Sequence, residues 1–261
     1  LERFPTSLGD YLHHLLPAAL AAIAVNVAVF LWLFRAELAG GFAPTDLPLP
    51  AVLTRAPQRF RLTALGLGVL AGAYLYAAWR GWPLGLVALV GGAALLGGAV
   101  AWGEFAARGL ASAISWGLFG FIAGFLVLVQ GVENAGLSAG LGHALAALAG
   151  DDPLRATAAA VVLSALGANL VNNVPAALLQ LAAIDSLPSS PVRGLLAYGT
   201  LVGADLGPNL TTVGSLATML WLLLLRQRGV TISSLEYFRV GLITTPGLLA
   251  AATLALWGMG R

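Results

Sequence analysis

Residues Gly203-Ala204-Asp205-Leu206-Gly207-Pro208-Asn209-Leu210-Thr211-Thr212-Val213-Gly214-Ser215 stand between two strongly apolar runs, Leu195-Leu196-Ala197-Tyr198 and Met219-Leu220-Trp221-Leu222. The flanks read as membrane helix. The middle does not, because it holds a carboxylate, a proline, an asparagine, two threonines and a serine. Pro208 lacks a backbone donor and clashes with the preceding turn. Gly207 and Gly214 weaken helix continuity further. The expectation is a helix broken at mid-membrane. Irregular backbone at that depth is tolerated only where protein buries it or where it lines a wet cavity. Paired half-helix ends near the midplane are how secondary transporters build substrate and ion sites.

Composition agrees with a membrane setting. The 261 residues are 59% hydrophobic and 9% charged, where a soluble domain carries roughly a quarter charged residues. This is an all-α polytopic membrane protein in contact with the lipid bilayer. The basic residues, 13 in all, are arginines, so the high isoelectric point reflects loop arginines and not a nucleic-acid surface. Without cysteine there are no disulfides, thiolate metal sites or cysteine nucleophiles. The three histidines have no ligand-like spacing, so neither a metal nor another cofactor is expected, and no enzyme motif stands out. The chain opens on Leu1, which is expected of a processed product or of a piece of a longer protein.

In chain order, residues 1–34 read as a short polar lead with Arg3 and Asp10, then a first span from about His14 to Phe34. Asn26, near the centre of that span, is expected to make an interhelical hydrogen bond. Residues 35–61 are rich in proline and glycine and carry Arg35, Arg55, Arg59 and Arg61, which predicts a cytoplasmic linker without regular structure. Spans over Leu62–Trp79 and Leu84–Trp102 form a hairpin around Arg80-Gly81-Trp82-Pro83. A span over Ala113–Val132 follows, then a polar loop reaching Asp151-Asp152-Pro153 and Arg155.

The segment 156–184 is longer than one span needs. Its centre is Gly167-Ala168-Asn169-Leu170-Val171-Asn172-Asn173-Val174-Pro175. Either it is one tilted span kinked at Pro175, or it is a re-entrant helical hairpin whose tip carries Asn172 and Asn173 to the midplane. Charge separates the two. With a hairpin, the broken helix over 193–225 delivers Arg226, Arg228 and Arg239 to the side that holds Arg35, Arg55, Arg59, Arg61 and Arg108, the positive side expected to face the cytoplasm. A simple crossing would place the 226–239 loop outside. The hairpin is therefore expected, and the last span runs from about Val240 to Trp257.

The chemistry-bearing residues follow from these two interruptions. Asp205 is the carboxylate placed within the membrane, where burial costs at least about 2.5–3.5 kcal/mol on insertion scales. A low-dielectric setting disfavours a carboxyl group's charged form, which suits a proton-coupling residue. Asn209, Thr211, Thr212 and Ser215 lie where the second half-helix begins, with unpaired N–H groups and the positive dipole end. They can cap that end or bind a polar ligand. Asn172 and Asn173 offer amide donors and acceptors from the tip. The expected substrate-binding set is Asn172, Asn173, Asn209, Thr211, Thr212 and Ser215.

At these motifs the sequence resembles the ArsB-type arsenical pump membrane proteins of the ion transporter superfamily. The residues that carry the likeness are Asn172-Asn173-Val174-Pro175, Gly203 to Thr211, Gly214-Ser215-Leu216-Ala217-Thr218-Met219-Leu220-Trp221, Asn134-Ala135-Gly136-Leu137 and Glu236-Tyr237-Phe238-Arg239-Val240-Gly241. The resemblance implies efflux of arsenite and antimonite across the cell's inner (plasma) membrane in exchange for protons, conferring arsenical resistance, sometimes with a soluble ATPase subunit attached. It also implies two inverted repeats, each with a hairpin and a broken helix. Residues 1–34 then end the first repeat and 62–261 form the second, so the chain resembles the C-terminal part of a transporter. Some family members have lysine where Asn209 stands, and many have arginine at the position of Glu133. Arsenite is a neutral trihydroxide at cell pH, and hydroxyl and amide groups can hold it without thiolates.

Two other readings compete. One is a sodium- or proton-coupled carrier of another small ion in the same superfamily. The absence of arginine or lysine from both motifs counts against a dianion. The other is a non-transporting membrane subunit that docks a soluble partner through the 35–61 and 226–239 loops.

Overall fold

The computed structural model describes residues 7–40, 56–103 and 116–260. Among these all regular structure is helical. Several helices present broad apolar surfaces outward, with Leu170 83% and Trp79 73% exposed. Lipid is the solvent that such surfaces require. Among the described residues five helices are long and apolar enough to cross a bilayer, and the protein is a multi-pass membrane protein.

The chain divides into two compact units, Ala39–Gly120 and the pair of segments Leu1–Leu38 and Phe121–Arg261. In the first, α3 (Pro57–Arg80) and α4 (Leu84–Ala101) form an antiparallel pair turned at Gly81, whose φ of 67° suits glycine. Gly91 lies under Leu70, and Gly66 under Leu95, so small residues let the two backbones approach. α3 starts at Pro57, where a missing N–H costs nothing. Arg59 and Arg61 therefore belong to a helix and not to an irregular linker. Residues 41–55, the centre of the predicted linker, and 104–115 lie outside the described residues.

The second unit contains α1 (Leu8–Leu33), the short α2 (Arg35–Leu38), α6 (Leu137–Ala149), α7 (Pro153–Val171), α8 (Asn173–Asp185), α9 (Arg193–Leu206), α10 (Leu216–Gln227) and α11 (Ser234–Met259). α5 (Trp116–Asn134) precedes α6. α1 opens on a capping box in which Ser7 and Asp10 satisfy each other's backbone N–H groups. Asp10 thus sits in the first helical turn and not in a polar lead. α6 also departs from expectation, since a polar loop was predicted there. It starts after Gly136 (φ 73°) and packs Gly142, Leu145 and Ala149 against the ends of α7 and α8.

The packing of α7 on α9 sets the geometry of the rest. Gly199, Gly203 and Gly207 recur every fourth residue along one face of α9 and meet Thr157, Val161 and Ala165 of α7 in turn. An ideal Cβ on Gly207 would stand 2.5 Å from the Ala165 Cα, and one on Gly203 would overlap the Val161 carbonyl. The two helices therefore run parallel at close approach, with Thr157, Val161 and Ala165 each beside the glycine 42 residues further along the chain, the separation of the Asn169–Thr211 hydrogen bond. Gly203 and Gly207 act through packing here, and the backbone stays helical through both.

α8 returns antiparallel to α7. Gly167 faces Ala176, and Gln180 donates to the Ala160 carbonyl at 2.9 Å. The same Gln180 amide donates to the Thr200 hydroxyl at 2.9 Å, while the Ser164 hydroxyl donates to the Thr200 carbonyl at 2.7 Å. These buried polar groups tie both hairpin arms to α9. At the open end, Asp185 and Arg193 form an ion pair at 2.6 Å.

α1 runs parallel to α9, with His14 stacked on Tyr198 at 4.6 Å and Ala18 and Ala22 packed with Val202 and Leu248. α11 runs antiparallel to α9, with Gly260 against Leu195 and Gly241 against Asn209. These directions place Arg35, Arg226, Arg228 and Arg239 at one end of the unit and Asp185 and Arg193 at the other.

Candidate functional site

Because α7 and α9 share a register, the end of α7 and the end of α9 arrive at the same level. α7 stops at Asn172, which caps both hairpin arms. Its N–H donates to the Ala168 carbonyl and its carbonyl accepts from Ala176. Pro175 lies in the first turn of α8, where N–H groups have no helical partner in any case. Asn172 takes φ 81° and ψ 157° and is the one non-glycine residue with positive φ among those described. Only glycine occupies that region without strain, which for other residues is on the order of 1–3 kcal/mol.

The chain beyond α9 tightens into a 3-10 turn over Gly207–Leu210, then becomes extended at Thr211 with φ −129° and ψ 153°. Pro208 is the second residue of that turn, a position that needs no donor. Helix resumes at Leu216, capped by the Ser215 hydroxyl, which accepts from the Ala217 N–H at 3.2 Å.

Four hydrogen bonds join the tip to this break. The Asn173 N–H donates to the Gly214 carbonyl at 3.0 Å, and the Asn172 side-chain amide donates to the Val213 carbonyl at 3.2 Å. The Thr211 hydroxyl donates to Asn169 Oδ1 at 2.7 Å, and Asn169 Nδ2 donates to the Gly207 carbonyl at 2.8 Å. The freed backbone carbonyls of the broken helix thus find partners on the hairpin, as backbone groups away from solvent must. One buried polar atom is left over. Asn172 Oδ1 is closed off and accepts no hydrogen bond from any described residue. An orphan of this kind costs about 1–3 kcal/mol. Backbone strain and an unsatisfied acceptor coincide at one residue.

The structure brings Asn172, Asn173, Thr211 and Ser215 to this joint, with differing duties. Thr211 is engaged by Asn169, and Ser215 by its own helix. Thr212 is half-buried, and its hydroxyl makes no hydrogen bond to a described residue. Asp205, in the last turn of α9, lines a cavity of about 440 Å³ together with Asn173, Tyr198 and Tyr11. It also lines a neighbouring cavity of about 250 Å³ beside Leu15 and Ala252. Its carboxylate pairs with no described residue. Asn209 lies apart from these and lines a different cavity with Asn26 and Tyr237. Asn26 makes no side-chain hydrogen bond to a described residue, contrary to the interhelical bond expected of it.

Sequence reasoning passed over Asn169 as a site residue, although it lies within the interrupting stretch. It also passed over Gln180, Ser164 and Thr200. The signal was available for Gln180, a lone amide in the apolar run from Ala176 to Ile184, because such a group in a membrane helix needs a partner.

The profile of the family described as "Arsenical pump membrane protein" (ArsB) matches residues 2–258. The arsenical pump membrane protein of Yersinia enterocolitica is 32% identical over 97% of this chain and 59% of its own length. That of Escherichia coli strain K12 is 31% identical over the same shares. A putative arsenical pump membrane protein of Bacillus subtilis strain 168 is 27% identical over 78% of this chain and 47% of its own. The chain spans about three fifths of the length of the enterobacterial relatives it matches. No solved structure matches it.

Proposed function

The chain belongs to the arsenical pump membrane protein (ArsB) family, and from that premise we propose that it works within a transporter that expels arsenite and antimonite across the inner (plasma) membrane in exchange for protons. The observation that carries the reading is the hydrogen-bonded joint between the hairpin tip and the broken helix, with its strained Asn172 and orphaned Oδ1.

The joint is built from amides, hydroxyls and backbone groups, with no cationic side chain in either irregular segment. That chemistry suits a neutral molecule that both donates and accepts hydrogen bonds. A trihydroxide such as arsenite is one. Its hydroxyls supply the donor that Asn172 Oδ1 lacks, and they replace the bonds that Asn172 and Asn173 make to Val213 and Gly214. The substrate-facing set is Asn172, Asn173, Thr211, Thr212 and Ser215, with Asn209 on the adjoining turn. Binding trades bonds within the joint for bonds to cargo, so the tip and the break move apart as cargo enters. Such a two-state element is what alternating access requires.

Asp205 carries the proton. It borders the cavity that Asn173 enters, and no described cation fixes its charge. Intramembrane carboxylates mark ion pathways and proton relays. The division into residues 1–34, 35–61 and 62–261, amended in that α3 takes up the end of the linker from Pro57, the re-entry of the hairpin into the bilayer and the cytoplasmic placing of the arginine-rich end belong to the same proposal. So does a soluble ATPase partner docked at that end.

The test is Asp205→Asn in the full-length transporter. Membrane insertion and arsenite binding should persist, while proton-driven exchange should fall at least tenfold. Proton-driven exchange at the parental rate would remove Asp205 from the mechanism.

A further inference from the structure

A separate cavity of about 160 Å³ opens beside the 3-10 turn, between α1 and α11. Its polar lining is Asn26 from α1, Asn209 from the turn, and Tyr237 and Thr244 from α11; Phe30 and Leu248 are among its apolar walls. Gly241 lets α11 press onto the turn, since a Cβ there would overlap the Asn209 carbonyl oxygen. None of the residues around this cavity lines either cavity beside Asp205.

Three of the four polar side chains here are unused. The side chains of Asn26, Asn209 and Tyr237 make no hydrogen bond to any described residue. Thr244 donates to the Val240 carbonyl at 3.1 Å and keeps its acceptor capacity. Three polar side chains from three elements, Asn26 and Tyr237 half-buried and Asn209 exposed, thus converge on one small cavity with their donors and acceptors free for a ligand. The lining carries no charge of either sign, so an ion entering would lose its hydration with no counter-charge to replace it. Two amides and two hydroxyls, each able to donate or accept, fit a small neutral molecule with several hydroxyl groups. The volume holds one such molecule or a few waters.

We propose that this cavity is a second binding station for the neutral trihydroxide cargo, an inference that rests on the exporter reading above. Asn209 lies two residues before Thr211, so one turn of backbone separates this station from the tip–break joint. Cargo passes between them past the 3-10 turn. Asn26 and Tyr237 grip its hydroxyls on the α1 and α11 side.

The test is calorimetric titration of arsenite into the full-length transporter in lipid nanodiscs at neutral pH. The parent should bind two molecules, and Asn26→Leu/Tyr237→Phe should bind one. If that double variant fails to insert, Tyr237→Phe alone, which removes a single oxygen, should weaken one of the two sites several-fold and leave the other unchanged. One site in the parent, or two unaltered sites in either variant, would overturn the second station and leave the exporter reading standing. No binding to the parent would overturn both.

Discussion

Asn169 is the residue whose replacement tests the joint most sharply. Its amide group makes two bonds across elements, to Thr211 and to the Gly207 carbonyl, and one along its own helix to Ala165. Side-chain hydrogen bonds between membrane helices average about 0.6 kcal/mol and reach about 1.7. Losing both cross-element bonds in Asn169→Ala should therefore destabilise the protein by roughly 1–3 kcal/mol. Thr211→Val removes only one of them and should cost about 0.6–1.7 kcal/mol. Because the Gly207 bond does not involve Thr211, Asn169→Ala must be the costlier change. The pair shares a single bond, so the double variant should be milder than the sum by about 0.6–1.7 kcal/mol. Reversible unfolding in mixed micelles, followed by tryptophan fluorescence, measures all four proteins of the cycle. A coupling energy of zero would mean that tip and break are not joined through these side chains in the resting state.

Two further outcomes follow from the same geometry. Gly203→Leu should destabilise by at least roughly 1–3 kcal/mol through overpacking against Val161 and Ser164, whereas Gly194→Ala, on the same helix with no atom near its Cβ, should be neutral or slightly stabilising; equal effects in a thermal-shift assay would refute the parallel contact of α7 and α9. Asn172→Gly should be more stable than Asn172→Ala by up to about 1–3 kcal/mol, since only glycine takes this φ and ψ without strain. Denaturation midpoints that favour alanine would contradict the tip conformation.

Both interruptions were legible because asparagine, proline and threonine have no business in the centre of an apolar run unless the backbone gives way there. Arginine placement favoured a hairpin over a simple crossing, and α8 returns antiparallel to α7 with Arg35, Arg226, Arg228 and Arg239 at one end of the unit. What the sequence did not reveal is that the two interruptions bind each other. That depends on a register set by Gly199, Gly203 and Gly207, and one of those glycines was read as a helix weakener. Glycine spacing marks a close approach without naming the partner helix. α6 escaped notice because Leu137–Ala149 is short for a span and starts after a glycine with no side-chain cap. Its burial comes from α7 and α8, a tertiary effect with no local signature. Pro57 was counted as a breaker, yet it starts α3, the other role that proline plays. Asn26 was expected to find a protein partner, and the structure instead sets it on a cavity wall. Gln180 was missed because a single amide among alanines and leucines does not disturb the pattern of an apolar helix.

The central question is whether inward proton flow drives a neutral trihydroxide out across the membrane. The direct measurement is arsenite uptake into everted membrane vesicles that hold the full-length transporter, with an imposed inside-acid gradient and with that gradient collapsed by a protonophore. The account predicts rapid uptake with the gradient, loss of accumulation with the protonophore, and no accumulation in Asp205→Asn vesicles. Uptake indifferent to the gradient, or none from a well-inserted protein, would contradict it.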